Sequence, residues 1–195
     1  VAEHDEYLES IVGHPQMLAL ARSVLGDELR FDHQCTCSRR HAGDAGMGYH
    51  SHHYADEHPQ IGYIRVFFYL NGFGLEDGNL KTVPGSHLFR TDTGNGRTDA
   101  EIMAWAAGKR HPVTGKPLAI RKLSCPPGSV VVMWTHATHG VDPKPADSER
   151  RWALITAYRN PGGLLDTETG ITIWMTPKYR DLPTPGLAPY HKRWD

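Results

Sequence analysis

No stretch of this 195-residue chain approaches the roughly 18 consecutive apolar residues that a membrane-spanning helix needs, which excludes a helical span. An excess of one charge is missing too: 21 Lys and Arg stand against 22 Asp and Glu, a formal net charge of −1. A chain so balanced carries no electrostatic footprint for nucleic acid or an anionic membrane surface, since both need a basic excess or a clustered basic face. Cysteine is scarce and odd in number. Cys35 and Cys37 are too close to bridge each other in ordinary geometry and three thiols leave one over, so they read as free thiols, with a metal role for the pair as the alternative. Free thiols predict a reducing compartment, and the expected location is cytoplasmic. No secretory leader or lipidation motif is visible, although the chain opens at Val1 without methionine and a preceding segment is expected.

What is present is a turn-rich globular composition, 39% hydrophobic with 20 glycines and 14 prolines. That length and composition fit one domain, most easily an all-β sandwich or barrel. Glu3 to Val12 and Pro15 to Leu25 carry apolar residues at three-to-four spacing and predict two covering helices, the second stopped by Gly26. Ser38 to Gly48 reads as a loop. The strongest strand is Ile61 to Leu70, with Tyr63, Arg65, Phe67 and Tyr69 on one face and Ile64, Val66, Phe68 and Leu70 on the other. Alternation of this kind predicts an aliphatic face against packing elements and an aromatic face, carrying one cation, toward a cavity. Further strands are expected at Leu80 to Val83, Leu118 to Leu123, Ser129 to Thr135 and Trp152 to Tyr158, with a helix over Thr98 to Ala107. Short strands between Gly/Pro turns, with helices mainly at the start, predict a two-sheet jelly roll: helical cover over about 3–25, a β core over about 28–160 and a strap over 161–195.

Histidine is the compositional anomaly, with 13 copies. Four of them, His50, His52, His53 and His58, crowd into nine residues. On an extended segment His50 and His52 point to one side, where a metal could take both. A third ligand has to come from a neighbouring strand, and the segment WTHATHG (Trp134 to Gly140) is the candidate. Three neutral imidazoles suit Fe(II), Zn(II), Cu(II), Ni(II) or Mn(II) without choosing among them. Eleven residues after His139 comes Arg150, just before the apolar run WALITAY. A guanidinium there suits a bidentate clamp on a carboxylate whose other end reaches the metal, the alternative being a surface pair with Glu149 or Asp147.

Three blocks in order resemble the phytanoyl-CoA dioxygenase-like Fe(II)/2-oxoglutarate oxygenases, the family that includes the ectoine hydroxylases. YHSH at 49–52 resembles the family's aromatic-His-x-Asp; EDGNLKTVPGSH at 76–87 resembles its Asn/Asp-Gly-x-Leu…Pro-Gly-Ser-His block; PPGSVVVMWTHATHG with Arg150 and Arg151 resembles its Pro-Gly-strand-His-Gly segment. The resemblance, over roughly residues 30–160, implies a double-stranded β-helix, an iron held by His50, His52 and His139, and 2-oxoglutarate held by Arg150. It implies a dioxygenase, of hydroxylase type, acting on a small molecule with O2 and needing no catalytic side chain beyond the metal centre. Tyr63, Arg65, Phe67, Trp134, Trp152 and Tyr158 are the candidates for the cavity wall. His52 departs from the pattern, standing where the family carries a carboxylate and leaving the site one unit more positive. The small residue of halogenating relatives is also absent, so halogenation is not implied. Val141 stands where the family often has a hydroxyl.

Other readings remain open. His50-x-His52 with Glu57 resembles a cupin motif, completed by His87 or His139, in an enzyme that does not use 2-oxoglutarate. A catalytically silent metal-binding or sensor domain is a second alternative, and histidines serving only as polar surface a third.

Overall fold

Alternation along the third strand sets the architecture. The computed structural model of the chain describes residues 5–27, 29–52, 62–89, 92 and 94–159. Eight strands run in order β1 (Arg30–Arg40), β2 (Met47–His50), β3 (Tyr63–Tyr69), β4 (Leu80–Thr82), β5 (Arg121–Lys122), β6 (Ser129–Trp134), β7 (His139–Val141) and β8 (Arg151–Arg159). They form two four-stranded antiparallel sheets, a major one ordered β1-β8-β3-β6 and a minor one ordered β2-β7-β4-β5. This is the expected double-stranded β-helix.

Ile64 and Val66 on one face of β3 join Leu154 and Tyr158 of β8 in a core with Val12, Met17, Ala21 and Leu25. These last come from α1 (Glu6–Val12) and α2 (Pro15–Leu25), so the N-terminal helices cover the outside of the major sheet. His14 caps α2 by accepting the Gln16 amide on Nδ1, and the Tyr158 hydroxyl donates to the Val12 carbonyl at 2.8 Å, tying helix to sheet. The opposite face of β3 presents Phe67 and Tyr69 to Leu80, Met133 and Ala153 in an inner core between the sheets. Outside the minor sheet lies α3 (Asp99–Ala106), opened by a capping box between Thr98 and Glu101 and packed through Ile102 and Ala106 on Tyr49, Val83 and Leu118.

The expected loop at 38–48 is shorter in the structure. Ser38 to Arg40 belong to β1 and pair with Ala153 to Arg151, with Ser38 and Arg40 facing a cavity and Arg39 exposed on the other side. The strap at 161–195, Ile61 and Glu57 lie outside the described residues.

A buried ion network fastens α3 to the minor sheet. Lys81 on β4 is 6% exposed; its Nζ lies 2.7 Å from Asp99 and 2.8 Å from Asp142, and 4.4 Å over the Tyr49 ring. Lys122 on β5 joins at 2.9 Å from Asp142. Replacing Lys81 by Met leaves the mostly buried Asp142 with the more exposed Lys122 as its cation, while Asp99 keeps the Tyr49 hydroxyl. Loss of one partner from a buried pair costs several kcal/mol, so Lys81→Met is expected to lower unfolding free energy by about 3 kcal/mol in urea denaturation.

Candidate metal centre

His50 and His139 are directly opposite one another across the β2–β7 pair. Opposed residues in an antiparallel pair hold their Cβ atoms about 5 Å apart, and here the two ring centroids lie 4.2 Å apart. Two residues beyond His50, His52 returns to the same side, its ring 5.1 Å from His50 and 5.3 Å from His139. One nitrogen from each ring falls within 4.8 Å of the others, the one such three-residue cluster among the described residues. His87, the other histidine weighed as a third ligand, is elsewhere, stacked on Trp134 at 5.7 Å.

The segment between β6 and β7 is stitched down before it delivers His139. The His52 amide donates to the Thr135 carbonyl at 3.0 Å and the Thr135 amide to that of Tyr63 at 3.0 Å. The PGSH block supplies the rest. Gly85 turns the chain at φ +89°, where an added Cβ would meet the His111 ring at 2.6 Å, so only glycine fits. Ser86 is thereby buried, its hydroxyl accepting the Thr138 amide at 2.8 Å, while the Val83 amide and the Thr82 hydroxyl both donate to the Thr138 carbonyl. This block positions a ligand strand and contributes no ligand itself.

Tautomers follow from the backbone. His139 Nδ1–H donates to the Ala137 carbonyl at 2.8 Å and His50 Nδ1–H to the Gly48 carbonyl at 3.1 Å, which leaves each Nε2 with its lone pair for a metal. His52 Nε2 accepts from Arg65 Nη1 at 2.7 Å. Burial, helped by the Arg65 guanidinium and the neighbouring imidazoles, pushes His52 down to about 2. Burial with His50 alongside pushes His139 down to about 3, and burial shifts His50 the same way. All three are neutral at pH 7. A set of three neutral imidazoles is a donor set that fits a borderline divalent metal, Fe(II) included.

The cavity beside the histidines encloses about 130 Å³ between the sheets. His50, His139, Arg65, Phe67 and Tyr69 line it together with Arg40, Arg151 and Val141, and no carboxylate does so among the described residues. Arg40 is paired with Asp44 at 2.7 Å. A larger cavity of about 440 Å³ lies between the N-terminal helices and the outer face of the major sheet. It is lined by such residues as Ile11, Met17, Leu20 and Phe68, and its one histidine, His14, is engaged in capping α2.

The structure redistributes several residues singled out from the sequence. Arg65 and Phe67 line the cavity, and Tyr63 shares their face of β3. Trp134, Trp152 and Tyr158 do not. Trp134 is opposite Ile64 on the helix-facing side, and Trp152 shares that side of β8 with Leu154 and Tyr158. Arg150 is also corrected. It precedes β8 and is exposed, its guanidinium 5.9 Å over the Trp152 ring and its carbonyl accepting from the Asn71 amide. The arginine facing inward is Arg151, 5% exposed, which shares a face with Ala153 and Ile155. Its guanidinium lies 4.9 Å over Phe73 and donates to the Gly78 carbonyl. Counting eleven residues from His139 misses it by one, whereas the two-residue period of β8, with Arg151, Ala153 and Ile155 on the cavity side and Trp152 and Leu154 on the other, marks it.

Known structures share this fold. EctD from S. alaskensis, solved with 2-oxoglutarate and 5-hydroxyectoine, superposes with a TM-score of 0.60 at 20% identity, covering 77% of this chain and 51% of that one. HygX from Streptomyces hygroscopicus, solved with iron bound, gives 0.56 at 17% identity, covering 80% and 68%. The alpha ketoglutarate dependent epimerase SnoN from nogalamycin biosynthesis gives 0.55 at 18% identity, covering 83% and 61%. The chain thus spans about half to two thirds of the length of these proteins, and only 32% of another, EvdMO1. No curated protein sequence matches it. The phytanoyl-CoA dioxygenase (PhyH) family profile matches residues 1–152, taking in the paired histidines, the PGSH turn and both adjacent arginines. With that profile matching most of its length on a double-stranded β-helix that gathers three of its histidines, the chain belongs to the phytanoyl-CoA dioxygenase family.

Proposed function

We propose that this protein is a non-haem Fe(II)- and 2-oxoglutarate-dependent oxygenase, hydroxylating a small molecule, with His50, His52 and His139 holding the metal and Arg151 holding the co-substrate. One observation carries the reading: His50 and His139 line the same cavity as the buried Arg151. A dicarboxylate chelated to a metal at one end is held by a fixed guanidinium at the other, and the cavity offers histidines to hold the metal and Arg151 for the second carboxylate. When bound, Fe(II) supplies activation of O2 coupled to oxidative decarboxylation of 2-oxoglutarate to succinate. The chain's own contribution is to keep the three imidazoles neutral, aim two of them through backbone carbonyls, and hold the co-substrate between the sheets away from water. Membership of the family, and the iron and 2-oxoglutarate named with EctD and HygX, support the same reading.

His52 in the position of the carboxylate supports a second reading, a metal-binding domain without oxygen chemistry. The two separate in one assay: load the protein anaerobically with Fe(II), add 2-oxoglutarate and O2 with a panel of small molecules, and quantify succinate. Succinate that requires both iron and His139 is the expected result. Stoichiometric iron with no succinate across the panel overturns the oxygenase reading and leaves the binding domain.

A further inference from the structure

His52 differs from its two partners in having its Nε2 lone pair already engaged. The donor 2.7 Å away is the Arg65 guanidinium, a group that can only donate, so Nε2 is the acceptor and the ring proton is on Nδ1. A neutral imidazole has one lone pair and one N–H. A metal arriving at Nε2 takes the lone pair that Arg65 uses. If it arrived at Nδ1 instead, the proton would have to move to Nε2 and face the guanidinium donor to donor. In either arrangement the bond between Arg65 and His52 breaks when the metal binds.

We propose that Arg65 is a positioning residue that competes with the metal for His52 and, once displaced, binds a carboxylate ligand in the adjoining cavity. The inference rests on the three-histidine metal reading above. Arg65 already lines that cavity from the inner face of β3, beside Phe67, at the end where His52 lies. Arg65 is opposite Ala157, six residues along β8 from Arg151, so the two long side chains enter the one cavity from different ends of the inner face, Arg65 at the His52 end. A carboxylate that draws Arg65 from His52 tightens metal binding, and by linkage the metal tightens carboxylate binding by the same factor. The extra positive charge left by His52 in place of an acid is thus answered by a ligand that arrives with its own negative charge.

Co(II) titration of the full chain under nitrogen, read from its d–d absorption, tests this with and without 2-oxoglutarate as the probe. Arg65→Met should bind Co(II) alone roughly tenfold tighter than wild type, the scale of one charge-assisted hydrogen bond, and the gain from 2-oxoglutarate should shrink by a similar factor. Arg65→Lys, which keeps the charge but not the fork, should fall between. Imidazole 15N NMR of the wild type supplies a readout that needs no variant: His52 Nε2 should report an accepted hydrogen bond without metal and lose it on addition of Zn(II). Unchanged or weaker Co(II) binding in Arg65→Met, or an Arg65 bond that survives Zn(II), overturns the inference while leaving the metal centre standing. A wild type that binds neither metal overturns the metal reading and this inference with it.

Discussion

His139→Ala should bind no Fe(II) or Co(II) at concentrations that saturate the wild type, a loss of more than about 100-fold in affinity. Changes to groups that merely orient a metal-bound histidine cost 10- to 100-fold, and removal of a ligand exceeds that. His139 is 5% exposed, its Nδ1–H is fixed on the Ala137 carbonyl, and its ring is opposite His50 across the β2–β7 pair, so its Nε2 is held at the cluster. His87→Gln is the matched control. That ring stacks on Trp134, outside the cluster, and its replacement should leave metal affinity within about twofold of wild type, because the stacking it removes is worth about 1 kcal/mol to the fold and touches no ligand. Isothermal titration of both variants checks the pair of expectations. Retained affinity in His139→Ala would place the third ligand elsewhere in the chain and revive the cupin alternative with Glu57.

Two adjacent arginines should differ just as sharply. Arg151→Gln is expected to raise the dissociation constant for 2-oxoglutarate on the metal-loaded protein by about 100-fold, since truncating a buried charged partner costs 2–5 kcal/mol. Arg150→Gln should change it less than about twofold, because an exposed cation near an aromatic ring is screened by water. Arg151 also donates to the Gly78 carbonyl and packs on Phe73, so Arg151→Lys is the informative companion. It retains the charge while losing the planar fork, and should recover part of the affinity if a carboxylate is what the guanidinium holds. Equal effects at 150 and 151 would remove the co-substrate role from Arg151.

Much of the scaffold was legible from local pattern. The helices over 15–25 and 99–106 follow from apolar spacing and from caps whose chemistry is local, including the Thr98 and Glu101 box. The two faces of β3 read correctly because alternation is an intrinsic property of an extended chain. His50 and His52 share a side for the same reason, and His139 was reached through the blocks shared with the family. Less legible were β1 beyond Cys37 and the short β2 and β7. They are short or lack a regular apolar alternation, and they become strands only because another strand supplies the hydrogen bonds.

By itself, then, the sequence determined the periods: which residues alternate, where helices can start, and which histidines and arginines are available. Tertiary structure decided the phase of each period against the core. A shift of one residue exchanges the faces of a strand, and only pairing with β1 and β3 sets Arg151 inward and Arg150 outward, and turns Trp134 and Trp152 toward the helices. The same pairing puts Arg65 within a hydrogen bond of His52, thirteen residues away. No spacing rule contains that pairing, because it depends on where two strands of different sheets meet the segment that leads to His139.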